Sequence, residues 1–231
     1  MNELEVKLAR LYDLMKTKNV DALCLSRASS FAWITGGASS YINTASDYGA
    51  AQVLITKEQR SILTTNIEAP RIGGEEGLAA AGWEVVAEPW YEAPQALAER
   101  TADLAVGSDD GSIGLDLGGE VGWLRTLLTP PEVDRFRTLG ALCAEAMNAA
   151  IRHVRPGMFE HEIAAILAKE AQQRGVQAIV NLIATDERIF NYRHPLPANK
   201  QMEKYAMLVL CGRRQGEVCS ITRLIHYGPL S

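Results

Sequence analysis

Apolar residues recur at Leu4, Leu8, Leu11 and Met15, a spacing that gathers them on one face of a helix. The pattern predicts an amphipathic helix over 3–18, with Asn19 as its stop. The period then shortens. Val20–Leu25 reads as a mostly buried strand, and Ala51–Thr56 and Ser61–Thr65 are β-rich runs around Lys57-Glu58-Gln59-Arg60, which predicts a hairpin with a four-residue loop. Trp83–Ala87 reads as another strand, Ala93–Leu104 as a helix and Ile113–Leu117 as a strand. Helices alternating with strands, with one hairpin among them, predict an α/β layer over residues 1–126.

A second pattern begins at Thr129-Pro130-Pro131-Glu132: a capping Thr, a Pro at the first helical position, and a Glu able to reach back to the cap. The helix it opens carries an apolar stripe through Val133, Phe136, Gly140, Cys143, Met147, Ala150 and Val154, and must stop at Arg155-Pro156-Gly157. A further helix is predicted over 159–174, with Ile163, Ile166 and Leu167 inward and Gly175 as its C-terminal cap. Extended segments follow at Ala178–Ala184, Ala206–Cys211 and Val218–Tyr227, the last two flanking a reversal at 212–216. Residues 129–231 therefore read as an α+β domain of two helices and three strands.

Composition narrows the function classes. Of the 231 residues, 47% are apolar and 22% charged, which is globular and not disordered. The net charge of −5 is spread without a basic stripe, which argues against nucleic acid as a partner. No basic, apolar leader opens the sequence and no run of about 18 apolar residues occurs, so neither export nor membrane insertion is expected. The cysteines Cys24, Cys143, Cys211 and Cys219 have no CxxC spacing and read as reduced thiols of a cytoplasmic protein.

Several features coincide in the second region. Arg155-Pro156-Gly157 between two helices is followed by Glu160 and Glu162, then by Asn191-Tyr192-Arg193-His194-Pro195, then by a hairpin closing on 216–223, Gly-Glu-Val-Cys-Ser-Ile-Thr-Arg. Together these resemble the first half of the pita-bread fold of the creatinase, aminopeptidase P and prolidase family. The region before Pro130 resembles the N-terminal domain of that family. The resemblance implies an Xaa-Pro peptidase-like hydrolase and a homodimer. It also implies a pair of divalent ions (Mn, Co or Zn) held by two Asp, a His and two Glu, whose close-set carboxylates offset the paired charge.

This sequence departs from that pattern. The segment Ile221-Thr222-Arg223 is present, but the position matching the second Asp is Ser220, and the first falls on Val209. A register shifted by two gives Cys211, and no Asp follows Asp186. No metal ligand and no cofactor are therefore expected in this chain. The family's other ligands come from the second half of the fold, past Ser231. The reading is then of a fragment of a longer protein, or of a half-fold that completes its core by association.

Three functions remain open: an Xaa-Pro peptidase-like homologue without paired-metal catalysis, a metal-free creatinase-like hydrolase acting on a guanidino or amide compound, and a non-catalytic peptide-binding or dimerisation module. By resemblance, His194 aligns with a substrate-contacting histidine of the family and is the candidate acid/base. The plain alternative is a loop histidine held for structural reasons. Arg193, Arg213 and Arg214 are candidates to grip a substrate carboxylate; for the last two, a solvated turn is the preferred reading. Ser220 would act as a nucleophile only beside a base, and Arg223 is expected to order the hairpin. His153 is expected in the last turn of its helix and His161 on the surface, with His226 facing either way. The glycine pairs at 36–37, 73–74 and 118–119 lack phosphate-loop spacing and read as turns. Trp33, Trp83, Trp90 and Trp123 read as core or subunit-contact residues.

Overall fold

Two asparagines bound the first helix, α1 (Glu3–Lys18). Asn2 Oδ1 accepts the Glu5 N–H at 2.9 Å while Glu5 Oε2 accepts the Asn2 N–H at 2.8 Å, a reciprocal cap. Asn19 ends the helix in the left-handed conformation at φ 55°. The predicted stripe is the buried one: Leu8, Leu11 and Met15 pack into the core, where each contributes about 1.5–3 kcal/mol by leaving water. Lys7 also faces inward, with no solvent exposure. Its ammonium donates to the Glu3 carboxylate and to the Trp33 carbonyl at 2.6 Å, and pairs with Glu132 Oε1 at 2.9 Å. The buried charge is thereby compensated.

The computed structural model describes residues 2–229, which divide along the chain into two compact units between Glu132 and Val133. In the first, α1 is followed by β1 (Ala22–Arg27), α2 (Ala28–Ile34), β2 (Tyr48–Thr56), β3 (Arg60–Thr65), a π-helical turn (Arg71–Glu75) and β4 (Glu84–Glu88). Then come α3 (Ala96–Thr101), β5 (Val106–Ser108), β6 (Leu115–Asp116) and α4 (Gly118–Arg125). The strands form one mixed sheet in the order β4-β3-β2-β1-β5-β6. β2 is antiparallel to β1 and β3, and the outer pairs are parallel. One face of the sheet packs on Leu11, Phe31, Trp33, Ile72 and Val121. The opposite face is covered through Ala96 and Leu97 of the short α3.

Three expectations for this unit are corrected. The helix expected at Ala93–Leu104 spans only Ala96–Thr101, since Pro94 disfavours helix at Ala93. The strand expected at Ile113–Leu117 shrinks to Leu115–Asp116. Two of the glycine pairs are not turns, because Gly73-Gly74 lies in the π-helical turn and Gly118-Gly119 opens α4.

The second unit is built from α5 (Pro130–Ile151, which starts in the last residues of the first unit), α6 (Glu160–Gln172), β7 (Gln177–Thr185), α7 (Arg188–Asn191), β8 (Tyr205–Arg214) and β9 (Glu217–His226). The predicted cap is present, with Glu132 Oε2 accepting from Thr129 N at 2.7 Å and Thr129 Oγ1 at 2.8 Å. The helix ends at Ile151, four residues earlier than the Arg155 turn, so His153 lies beyond the helix. β7, β8 and β9 form an antiparallel sheet in chain order. Its inner face, with Ile183, Ala206, Leu208 and Leu210, shares a core with Cys143, Met147, Ile163 and Leu167 of the two helices. The expected reversal at 212–216 tightens to two residues: Arg214 pairs with Glu217, and Gln215 and Gly216 have φ of 51° and 79°. Positive φ at both central positions suits the right-handed twist of a hairpin.

Candidate functional site

Side chains alternate across β8 and β9, and the pairing register decides which residues share a face. Val209 pairs with Thr222 and Cys211 with Ser220, so these four project from the face opposite the helices. Three of them, Val209, Cys211 and Ser220, are the positions that the sequence brought into question for the metal-binding carboxylates. Ser220 Oγ donates to Cys211 Sγ at 3.0 Å. The only acidic residue from Tyr205 to His226 is Glu217. It takes part on the helix side, where Arg135 Nε of α5 pairs with its Oε1 at 3.3 Å. A thiol, two hydroxyls and an isopropyl group lack the carboxylate oxygens that offset the charge of a pair of divalent cations. Among the described residues, no three His, Cys, Asp or Glu side chains gather in a way that could hold a metal ion.

The candidate residues separate along the sheet. Arg193 and His194 lie between α7 and β8, both exposed and without a hydrogen bond or ion pair among the described residues. Their segment is tethered at the Tyr205 end of β8. There the Asp186 carboxylate accepts the N–H groups of Glu203, Lys204 and Tyr205 at 2.8–2.9 Å. Arg213 and Arg214 lie at the other end of the strand, where Arg213 is about 26 Å from Tyr205 at the rise of a β-strand. Arg213 is held by Gln177 Oε1, to which its Nε and Nη2 donate at 3.0 and 2.7 Å. The described contacts therefore do not bring His194 together with Arg213 and Arg214. Arg223 Nη1 donates to its neighbour's carbonyl, that of Thr222, at 2.8 Å. His161 is exposed, and His226 stacks edge-on to Tyr205 with ring centroids 5.8 Å apart.

What holds the 186–200 segment is Glu160, which the sequence marked only as an opener of α6. Its side chain has no solvent exposure. Oε1 accepts from Thr185 N at 2.8 Å and Thr185 Oγ1 at 2.9 Å; Oε2 accepts from Arg188 Nη1 at 2.9 Å and Ala198 N at 2.8 Å. Four donors and one full counter-charge satisfy the carboxylate. Arg188 Nη2 also donates to the Leu196 carbonyl at 3.0 Å, closing the loop that carries Arg193 and His194. No local sequence signal announces this, because the donors lie 25 to 38 residues downstream.

Asp186 itself takes the left-handed conformation at φ 51°. Burial works to raise its pKa, but the three backbone N–H donors and Lys200 outweigh it and hold the group below its ordinary value of 3.8. Burial pushes the Cys24 and Cys143 thiols up to about 11, a direction that suppresses the reactive thiolate. No described helix is long and apolar enough to cross a membrane.

The fold is shared with solved peptidase structures. Xaa-Pro dipeptidase from Bacillus anthracis superimposes with a TM-score of 0.78 at 18% identity, over 99% of this chain and 66% of that one. Prolidase from Pyrococcus horikoshii OT3 gives 0.78 at 17% identity, over 97% and 66%. Aminopeptidase P from E. coli gives 0.74 at 16% identity, over 98% and 63%. The chain thus spans about two thirds of the length of these proteins. No curated protein sequence gives a significant match. The sequence pattern of the creatinase/prolidase N-terminal domain matches residues 7–127, just over half of the chain. The chain belongs to the creatinase/prolidase N-terminal domain family, and its fold is that of the prolidases and aminopeptidase P.

Proposed function

We propose that this chain is an Xaa-Pro peptidase-like hydrolase homologue whose β8–β9 hairpin does not take part in paired-metal catalysis. One observation carries the reading: Val209, Cys211, Ser220 and Thr222 share the outer hairpin face, and none is a carboxylate. Without negative charge there, the hairpin would offset neither ion of a pair and would not help to hold a metal-bound hydroxide against a scissile carbonyl.

The test is calorimetric titration with Mn²⁺, paired with an assay of Gly-Pro hydrolysis with and without added Mn²⁺ or Co²⁺. Neither stoichiometric uptake nor metal-dependent turnover is expected. Uptake of two ions per chain with turnover would overturn the proposal. Turnover that survives chelation and disappears in His194→Ala would replace it with a metal-free hydrolase.

A second reading, a non-catalytic peptide-binding or dimerisation module, draws support from the exposed Val218 and Leu224 on the outer face of β9 and from Trp123, Leu127 and Leu128 in the first unit. It predicts a homodimer in light scattering at micromolar concentration; a monodisperse monomer would count against it.

A further inference from the structure

A cavity of about 300 Å³ lies in the first unit, on the sheet face that α3 covers. Its floor is Gln52 and Leu63 of the sheet with Leu97 of α3, and its rim is the segment that contributes Glu88, Trp90 and Glu92. We propose that it binds a small organic cation, an alkylammonium or quaternary ammonium group, seated against the Trp90 indole between the two glutamates.

The charge of the cavity favours a cation. The only ionisable side chains lining the cavity are Glu88 and Glu92. Glu88 uses Oε1 to accept from Gln95 N at 2.7 Å and Ala96 N at 2.9 Å, which fixes the rim, and its Oε2 has no partner among the described residues. The Glu92 carboxylate likewise has none, the residue being tied only through its N–H to the Pro89 carbonyl at 3.1 Å. Two carboxylates with free oxygens beside apolar walls favour a cation over a neutral or anionic guest.

The aromatic side chain at the rim favours one too. Four other rings already have a protein cation within cation–π range: Lys7 with Trp33, Arg27 with Tyr48, Arg60 with Trp83 and Arg188 with Tyr192. Trp90 is 61% exposed and has no such cation among the described residues. Its position is nonetheless defined. The Trp90 backbone N–H donates to Asn66 Oδ1 at 3.1 Å, the Tyr91 ring stands at 87° to the indole, and prolines flank the segment at 89 and 94. An indole on an anchored backbone, beside unspent carboxylates, is the chemistry that recognises substituted ammonium groups. The contrast with Trp123 is informative. That indole is also exposed beside a cavity, but the only ionisable group lining it, Glu120, is already paired with Lys18.

The experiment follows the four indole N–H resonances in ¹H–¹⁵N spectra, with Trp90 assigned through Trp90→Phe. Butylammonium and tetramethylammonium chloride are titrated at constant ionic strength, beside 1-butanol and sodium butyrate. A saturable shift confined to Trp90 is expected with the two cations only, and binding should weaken about fivefold in Glu92→Gln, as the loss of one exposed charge contact implies. Equal shifts with 1-butanol would reduce the cavity to an unselective apolar groove and overturn the proposal. So would the absence of saturation with either cation, or an affinity unchanged in Glu92→Gln. The remaining three indole signals report that each variant is folded.

Discussion

Arg188 Nη1 meets Glu160 Oε2 at 2.9 Å, at a point where the glutamate side chain has lost all contact with solvent. The pair links the first residue of α6 to the segment after β7, and two backbone N–H groups and the Thr185 hydroxyl complete the carboxylate. Replacing Glu160 with Gln removes the counter-charge and turns an amide donor toward existing donors. The expected cost is about 3–5 kcal/mol in urea unfolding, as for other broken buried pairs. The amides of Thr185 and Ala198 should lose hydrogen-exchange protection first. Unchanged protection in the variant would show that the segment is held by other contacts.

Asp186 gives the protein an acid-sensitive element. Its pKa is lowered in the folded state relative to the unfolded value near 3.8, so the carboxylate contributes stability that is fully present above about pH 4. That contribution is lost as pH falls through the lower, folded-state pKa. Asp186→Asn keeps a residue type tolerant of φ 51° and an acceptor oxygen but cannot titrate. Stability measured between pH 2 and 6 should therefore fall less steeply in the variant; parallel curves would remove Asp186 as the source.

Gly212 shows why β8 needs a residue without a side chain there. A Cβ at this position would sit 2.5 Å from both Cys143 Sγ and Val176 Cγ1. Gly212→Ala should destabilise by about 1–3 kcal/mol through overpacking. The Cys143→Ala change removes one of the two clashing atoms, so the double variant should lose less than the sum of the singles. An additive double-mutant cycle would mean that the strain is relieved elsewhere.

The cysteines should divide by reactivity. Burial raises Cys24 and Cys143 to about 11, whereas Cys211 and Cys219 are partly exposed. Brief alkylation of the native protein at pH 8 should label Cys211 or Cys219 and leave the other two until unfolding, as read by peptide mass spectrometry. Early labelling of Cys143 would contradict the packing of α5 on the sheet.

What the sequence disclosed follows from how local each signal is. The α1 helix is legible because its stripe and the Asn19 that stops it lie within one short segment, and the β7–β9 hairpin region because its apolar runs and glycines do. The α2 helix escaped notice because all but one of its seven residues are buried, so no polar face gave it a period. α4 was hidden by the two glycines that open it, which read as a turn. The neutral residues on the hairpin were legible from the sequence alone, but their sharing of one face needed the cross-strand register. The tether around Glu160 depended on donors distant in sequence, as did the compensation of Lys7 by Glu132.

The ten pairs from Tyr205–His226 to Arg214–Glu217 run without a bulge. The main chain of this hairpin is therefore a fixed frame, and the electrostatics of its outer face are written by side chains alone. Exchanges at residues 209, 211, 220 and 222 change what the face can attract while leaving each Cα at its station. A ladder of single replacements there would work as a titration of chemical character on a constant backbone, separating the evolution of reactivity from the evolution of fold.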